Sequence, residues 1–336
     1  MVKVGMVGAI GYGGRELMRL LMAHPEAELT AAVEVEGGKR LDEALPQFRG
    51  LTDVVLETFD AASLAKRCDV VFIAVPGTKS MVLGAALRDA GACVMDLGSD
   101  FRIKDPAAYE QYYGAKYTKP ELALAAVYGH VPWYREALKA ADLVAVPGCF
   151  PISVITPLRP LVAASPAAVP VVVNSITGVS GGGRAPNDVF HYPAMNENLK
   201  AYKVGIHQHI PEIEQEIGGE TPVQFTPHVA PLTRGILSTI VFRPATAVDP
   251  AAVFSCYDDE PFVRVLPEGQ FPDINQVRGS NFCDLGWKMD ERTGNLMVVS
   301  CIDNLCGGTA GMGIQCMNVR FGLDERAGLR LPGMAP

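Results

Sequence analysis

This 336-residue sequence predicts an α/β fold: a Rossmann-type doubly wound parallel sheet at the N-terminus, followed by a second α+β domain. Three observations predict it. Strand-like apolar runs alternate with helically spaced ones through the first 148 residues. The first run ends in a glycine-rich turn that opens a helix. After Cys149 the pattern changes to strands separated by long segments.

Residues 2–8 alternate and end in glycine, as a strand entering a turn does. Residues 13–23 carry apolar side chains at helical spacing, and 29–35 form the next strand. A helix over 61–66 leads to a buried strand at 70–75 that stops at Pro76-Gly77. A helix over 79–90 and a strand over 92–97 follow, and a strand at 143–146 leads into Pro147-Gly148-Cys149. Beyond it, strands are expected at 170–176, 223–227, 237–242 and 296–302, then a closing helix at 307–320 that returns to the first domain. The stretch from Asp324 to Pro336 reads as a tail that frays.

Composition narrows the function classes. Hydrophobic residues make up 49% and charged residues 20%, as in an ordinary globular enzyme. The net charge of −8 and the lack of any basic block argue against nucleic acid as a partner. A small anionic substrate would then be held by local arginines rather than by the overall field. No apolar run approaches the ~20 residues that span a bilayer, and the N-terminus reads as a first strand rather than a signal peptide. Eight cysteines without a Cys-x-x-Cys pair read as reduced thiols of a cytoplasmic protein, with no metal site. Cys68, Cys93, Cys301 and Cys316 sit in apolar contexts and are expected to fill the core.

Gly8-Ala9-Ile10-Gly11-Tyr12-Gly13-Gly14 has strand–loop–helix context, which suits a dinucleotide pyrophosphate at a helix N-terminus. Its spacing is Gly-x-x-Gly-x-x-Gly, and Pro76-Gly77 should line the same crevice. The second strand ends in Val33-Glu34, followed by Lys39-Arg40. An acidic side chain there favours a ribose 2′-hydroxyl, whereas the basic pair would hold a 2′-phosphate, so the cues conflict. Residues 1–148 plus about 306–336 are thus expected to bind the dinucleotide. Residues 149–305 are expected to carry substrate, catalysis and oligomerisation.

Cys149 stands where a strand, a Pro-Gly turn and a helix start meet, a place that favours a thiolate. A nucleophilic thiol beside a nicotinamide implies chemistry between the aldehyde and carboxyl oxidation levels. His207 and His209 alternate on an extended segment and could share a face as proton shuttles; two surface histidines is the competing reading. Arg102, the Gly178–Arg184 loop and Arg234 are the candidate anion holders.

Together these residues resemble the N-acetyl-γ-glutamyl-phosphate reductases of arginine biosynthesis, relatives of the aspartate-semialdehyde dehydrogenases. The resemblance runs from Gly8 to about Asn318. It rests on the glycine loop, Ser99-Asp100-Phe101-Arg102, Pro147-Gly148-Cys149-Phe150-Pro151, Gly178-Val179-Ser180-Gly181, His207-Gln208-His209-Ile210-Pro211-Glu212, Phe225-Thr226-Pro227-His228, Arg234-Gly235 and Asp303-Asn304-Leu305. It implies a Cys149 nucleophile with His209 or His207 moving the proton. Substrate would be held by Arg102, Ser99, Arg184, Arg234 and Glu212. NADP(H) would be held by Gly8, Gly11, Tyr12, Gly13, Gly14, Lys39, Pro76, Gly77, Ser180, Gly181 and Asn304, with NAD not excluded. It also implies a homotetramer. Four departures stand out: Phe150 for tyrosine, Gln208 between the histidines, the Gly129–Trp133 segment, and Val33-Glu34 in place of a Ser-Arg pair. The alternatives are a reductase of N-acetyl-aminoadipyl or aspartyl phosphate, and a non-catalytic dinucleotide-binding redox sensor.

Overall fold

The computed structural model describes residues 1–335. The chain forms two compact units, Met1–Pro147 with Thr309–Arg330, and Gly148–Gly308 with the residues from Leu331 onward.

The first unit holds seven strands: β1 (Val2–Val7), β2 (Ala27–Val33), β3 (Leu56–Glu57), β4 (Val70–Ile73), β5 (Cys93–Asp96), β6 (Val127–Tyr128) and β7 (Leu143–Ala145). They lie in the order β3-β2-β1-β4-β5-β7-β6, every pair parallel. A parallel sheet is covered on both faces, so its central strands read as unbroken apolar runs; β4, Val-Val-Phe-Ile, is buried throughout. From β1 the chain winds outward in both directions, which leaves a crevice beyond its carboxyl end. The Tyr12–Leu21 helix packs Leu17, Met18, Leu20 and Leu21 inward.

The second unit holds β8 (Val171–Gly178), β9 (Lys200–Ala201), β10 (Val223–Ala230), β11 (Ile236–Phe242), β12 (Val263–Val265), β13 (Cys283–Asp290) and β14 (Asn295–Ile302). These form a mixed sheet in the order β12-β13-β14-β11-β8-β10-β9. The Cys149–Ala164 helix packs on β11 and β14 and against the Ile210–Ile217 helix. It carries Pro157 and Pro160 internally. Pro160 has no N–H to offer the Thr156 carbonyl one turn back, and the Tyr257 hydroxyl donates to that carbonyl instead, at 2.5 Å.

Every strand expected from periodicity is present within a few residues of its expected ends. β13 was not expected. It contains Gly286 and two aspartates, yet pairs with β14 along its whole length, from Cys283 with Ile302 to Asp290 with Asn295. Its register comes from the neighbouring strand, not from local propensity. The closing helix begins with a wide i→i+5 turn at Cys306–Ala310 and becomes α-helical over Gly311–Arg320. The tail is tied down through its described residues, and Pro336 lies outside them. Asn318 donates to the carbonyls of Glu325 and Ala327, Leu329 is buried, and the Met334 N–H bonds to the Arg278 carbonyl at 2.7 Å. Left-handed turns at Gly322 and Gly328 fold it back.

Candidate active site

The dinucleotide loop sits at the carboxyl end of β1. Gly8 has φ +86°, and a Cβ there would lie 2.4 Å from the Ala74 carbonyl oxygen. A Cβ on Gly14 would lie 2.4 Å from the Gly8 oxygen. Glycine is required at both for the loop to close this tightly. Gly11 caps the Tyr12–Leu21 helix, and a Cβ on Gly13 would meet nothing nearer than 3.8 Å. The first turn therefore offers backbone amides that a phosphate can approach closely, and the residues present fit a dinucleotide.

After β4, Pro76-Gly77 leads to Thr78, whose φ of +73° is strained for a β-branched residue. Asp100 holds this turn, accepting from the Thr78 N–H at 2.7 Å and the Met81 N–H at 3.0 Å. Ser99 packs on Gly77, where a Cβ would come within 2.5 Å of its hydroxyl. The structure thus gathers Gly8, Gly11, Tyr12, Gly13, Gly14, Pro76, Gly77 and Ser99 at one edge of one sheet. Lys39 is exposed on the β2–β3 connection. Arg102 is buried, with Nε on the Val146 carbonyl at 2.7 Å and Nη2 on the Leu97 carbonyl at 2.8 Å. Those two donors brace the carboxyl ends of β5 and β7.

Cys149 is the first residue of its helix, and Gly148 is the N-cap. Its side chain is half-buried, unlike Cys68, Cys93, Cys301 and Cys316, which are buried as core residues. Burial pushes the Cys68 and Cys93 thiols up to about 11, so neither is a nucleophile at neutral pH. Two features shape the ground around Cys149. The Gly148 N–H donates to Glu212 Oε1 at 2.9 Å, although Glu212 lies 64 residues away. A Cβ on Gly308 would lie 2.9 Å from the Cys149 Cβ, so the main chain at Gly308 packs closely against the base of the Cys149 side chain.

The histidines gather here as well. The ring of Phe150 stands 5.5 Å from His207 and 5.9 Å from His209, and the two imidazoles lie 4.8 Å apart. Phe225 and Tyr202 close the other sides of His207. This burial, helped by the charge of Lys203, pulls the His207 pKa down to about 3. His207 is therefore neutral, and its Nδ1 accepts the His209 N–H at 3.1 Å, which fixes the tautomer with the proton on Nε2. His209 caps the Ile210–Ile217 helix and is more exposed. The reading as two surface histidines fails for His207.

A second group adjoins this one through Gly308, whose N–H bonds to the Asp303 carbonyl at 2.7 Å. Buried Asp303 pairs with Arg234 at 3.6 Å and accepts the Gly279, Leu305 and Cys306 N–H groups. Asn304 accepts from the Gly235 N–H and donates to Ser180 Oγ, tying Arg234-Gly235 to the Ser180-Gly181 turn. Arg184 is not part of the group; it is exposed on the following loop. Sequence reasoning did not single out Gly308, Tyr202 or the bracing role of Asp303. The Gly307-Gly308 pair after Asp303-Asn304-Leu305 was the one local signal. Among the described residues no cluster suits a metal ion, and no helix is long and apolar enough to cross a membrane.

A dinucleotide crevice in one unit and a cysteine–histidine site in the other define a semialdehyde-dehydrogenase-type oxidoreductase. Residues 3–141 match the semialdehyde dehydrogenase NAD-binding domain, and residues 149–304 match the semialdehyde dehydrogenase dimerisation domain. The fold is that of aspartate semialdehyde dehydrogenase II from Vibrio cholerae (TM-score 0.74, 16% identity, 96% of this chain and 99% of that one). It is also that of the aspartate semialdehyde dehydrogenase solved with NADP from Candida albicans (TM-score 0.70, 19% identity, 95% and 98%). The N-acetyl-gamma-glutamyl-phosphate reductase of Desulforudis audaxviator is 43% identical over 100% of both chains. That of Geobacter sulfurreducens is 44% identical over 100% of this chain and 99% of its own. The chain belongs to the N-acetyl-gamma-glutamyl-phosphate reductase family.

Proposed function

We propose that the chain reduces N-acetyl-glutamyl 5-phosphate to N-acetyl-glutamate 5-semialdehyde and inorganic phosphate with NADPH, a step of arginine biosynthesis. One observation carries the reading: a half-buried cysteine at a helix N-terminus, followed directly by Phe150, whose ring packs against two histidines, in a chain of this family.

The Cys149 thiolate attacks the acyl carbon, and the C–O bond to phosphate breaks, leaving a thioester and inorganic phosphate. Glycines 8, 11, 13 and 14 would hold the dinucleotide, which supplies a hydride when bound. The hemithioacetal oxyanion on Cys149 then collapses, breaking the C–S bond to release aldehyde and restore the thiolate. The Gly148 N–H is engaged by Glu212, and Pro151 has no N–H, so the Phe150 amide is one first-turn donor suited to the oxyanion. His209 Nε2 supplies the proton that the departing phosphate takes up, while neutral His207 orients the His209 main chain. Arg234, which pairs with buried Asp303, would take the substrate carboxylate.

The chain works as a homo-oligomer. Supporting this, the outer face of the second sheet carries half-exposed Val172, Ile176, Leu237, Val241, Met297 and Val299. A cytoplasmic setting suits eight cysteines with no disulfide among the described residues.

The test is the reverse reaction, oxidation of N-acetylglutamate semialdehyde, with and without phosphate. Turnover should require phosphate and fall by about 10³-fold or more in Cys149→Ser. Near-normal turnover in that variant, or none in the parent chain, refutes the reading.

A further inference from the structure

The structure separates the two conflicting cues at the adenosine end of the crevice. β2 runs beside β1, and the Val33 carbonyl accepts the Gly8 N–H at 3.0 Å. The next residue, Glu34, is half-buried and fixed at both ends. Its main-chain N–H bonds to the Glu57 carbonyl at 3.0 Å, and its Oε1 accepts the Ile10 N–H at 2.7 Å. Its carboxylate thus lies on the glycine loop itself, at the carboxyl end of the second strand. A carboxylate there accepts hydrogen bonds from ribose hydroxyls and repels a phosphate ester on the same ribose.

The three arginines of this region have partners of their own. Arg40 grips Asp42 through Nε at 3.0 Å and Nη2 at 3.1 Å, and reaches Asp53 at 2.9 Å. Arg67 pairs with Glu57 at 2.7 Å. Arg15 donates Nε to the Ile10 carbonyl at 3.0 Å and lies along the Tyr12 ring. Lys39 is exposed, and a single solvated lysine is a weak opponent for a fixed carboxylate.

We infer that Glu34 sets the cofactor selectivity of this chain: it reads a 2′-hydroxyl and penalises a 2′-phosphate, so NAD(H) is accepted alongside NADP(H). This rests on the nicotinamide-dependent function proposed above. Calorimetric titration of the full chain with NADP+ and with NAD+, without substrate, tests it. Wild type should bind the two within about tenfold of each other, and Glu34→Gln should shift the ratio toward NADP+ by about tenfold or more. The glutamine keeps an oxygen for the Ile10 N–H, and an unchanged melting temperature confirms that the loop is intact. Glu34→Ser, which withdraws the charge and the loop bond together, should shift the ratio the same way. A ratio unmoved by both variants overturns the inference, as does wild-type NAD+ binding more than about tenfold weaker than NADP+. Failure to bind either nucleotide removes the cofactor reading itself, and that outcome is distinct because both affinities vanish rather than their ratio changing.

Discussion

His207 makes acid stability a direct readout of this site. Its pKa is held near 3 in the folded chain, first by burial among Phe150, Tyr202, His209 and Phe225, and second by Lys203. In the unfolded chain an unperturbed histidine titrates near 6.5. Above that pH both states are neutral at this residue and it contributes nothing to the pH dependence. Below it the unfolded chain takes a proton that the folded chain refuses, so stability falls as pH drops from about 6.5 toward about 3. At pH 4.5, two units below the unfolded value, the loss is about 2.7 kcal/mol. Urea unfolding of wild type and His207→Gln at pH 7.5 and 4.5 isolates it, because carboxylates titrate in both proteins and cancel in the difference. The variant should lose about 2–3 kcal/mol less than wild type between the two pH values. Equal losses would mean that the imidazole charges freely inside the fold, and its assignment as a neutral orienting group would fall.

Two further outcomes are expected. His209→Asn should flatten one limb of the pH–rate profile, whereas His207→Gln should lower turnover without moving that limb; equal, minor effects from both would remove the shuttle assignment. Gly14→Ala forces a Cβ against the Gly8 and Ala9 carbonyls and should cost about 2 kcal/mol or more of stability, while Gly13→Ala, with its nearest neighbour at 3.8 Å, should fold normally and weaken dinucleotide binding. Calorimetry and titration with the dinucleotide check the pair, and equal melting temperatures for both would contradict the packing argument.

What could be read from the sequence was local chemistry. The glycine loop, the Pro-Gly-Cys turn and the alternate histidines each declare themselves within a dozen residues, because tight turns and helix starts need particular residue types. Arg102 shows the limit. Its position after a strand was legible, but nothing nearby says that two of its donors end on the carbonyls of Leu97 and Val146. The same holds for Glu212 on the Gly148 N–H, Asn304 between Ser180 and Gly235, and Gly308 against Cys149. These pairings span tens to more than a hundred residues and exist only once the second sheet has formed. β13 was hidden for a related reason, since its partner strand supplies the order that its own residues do not.

The uneven burial of the sulfurs has a practical consequence. Six cysteines are enclosed, Cys149 is half-covered, and Cys256 alone is exposed. A limiting dose of an alkylating reagent therefore meets two addresses, and in a Cys256→Ser background just one. Protein labelled per mole then counts competent molecules in a preparation, and protection by an acyl phosphate analogue reports occupancy without any turnover being measured.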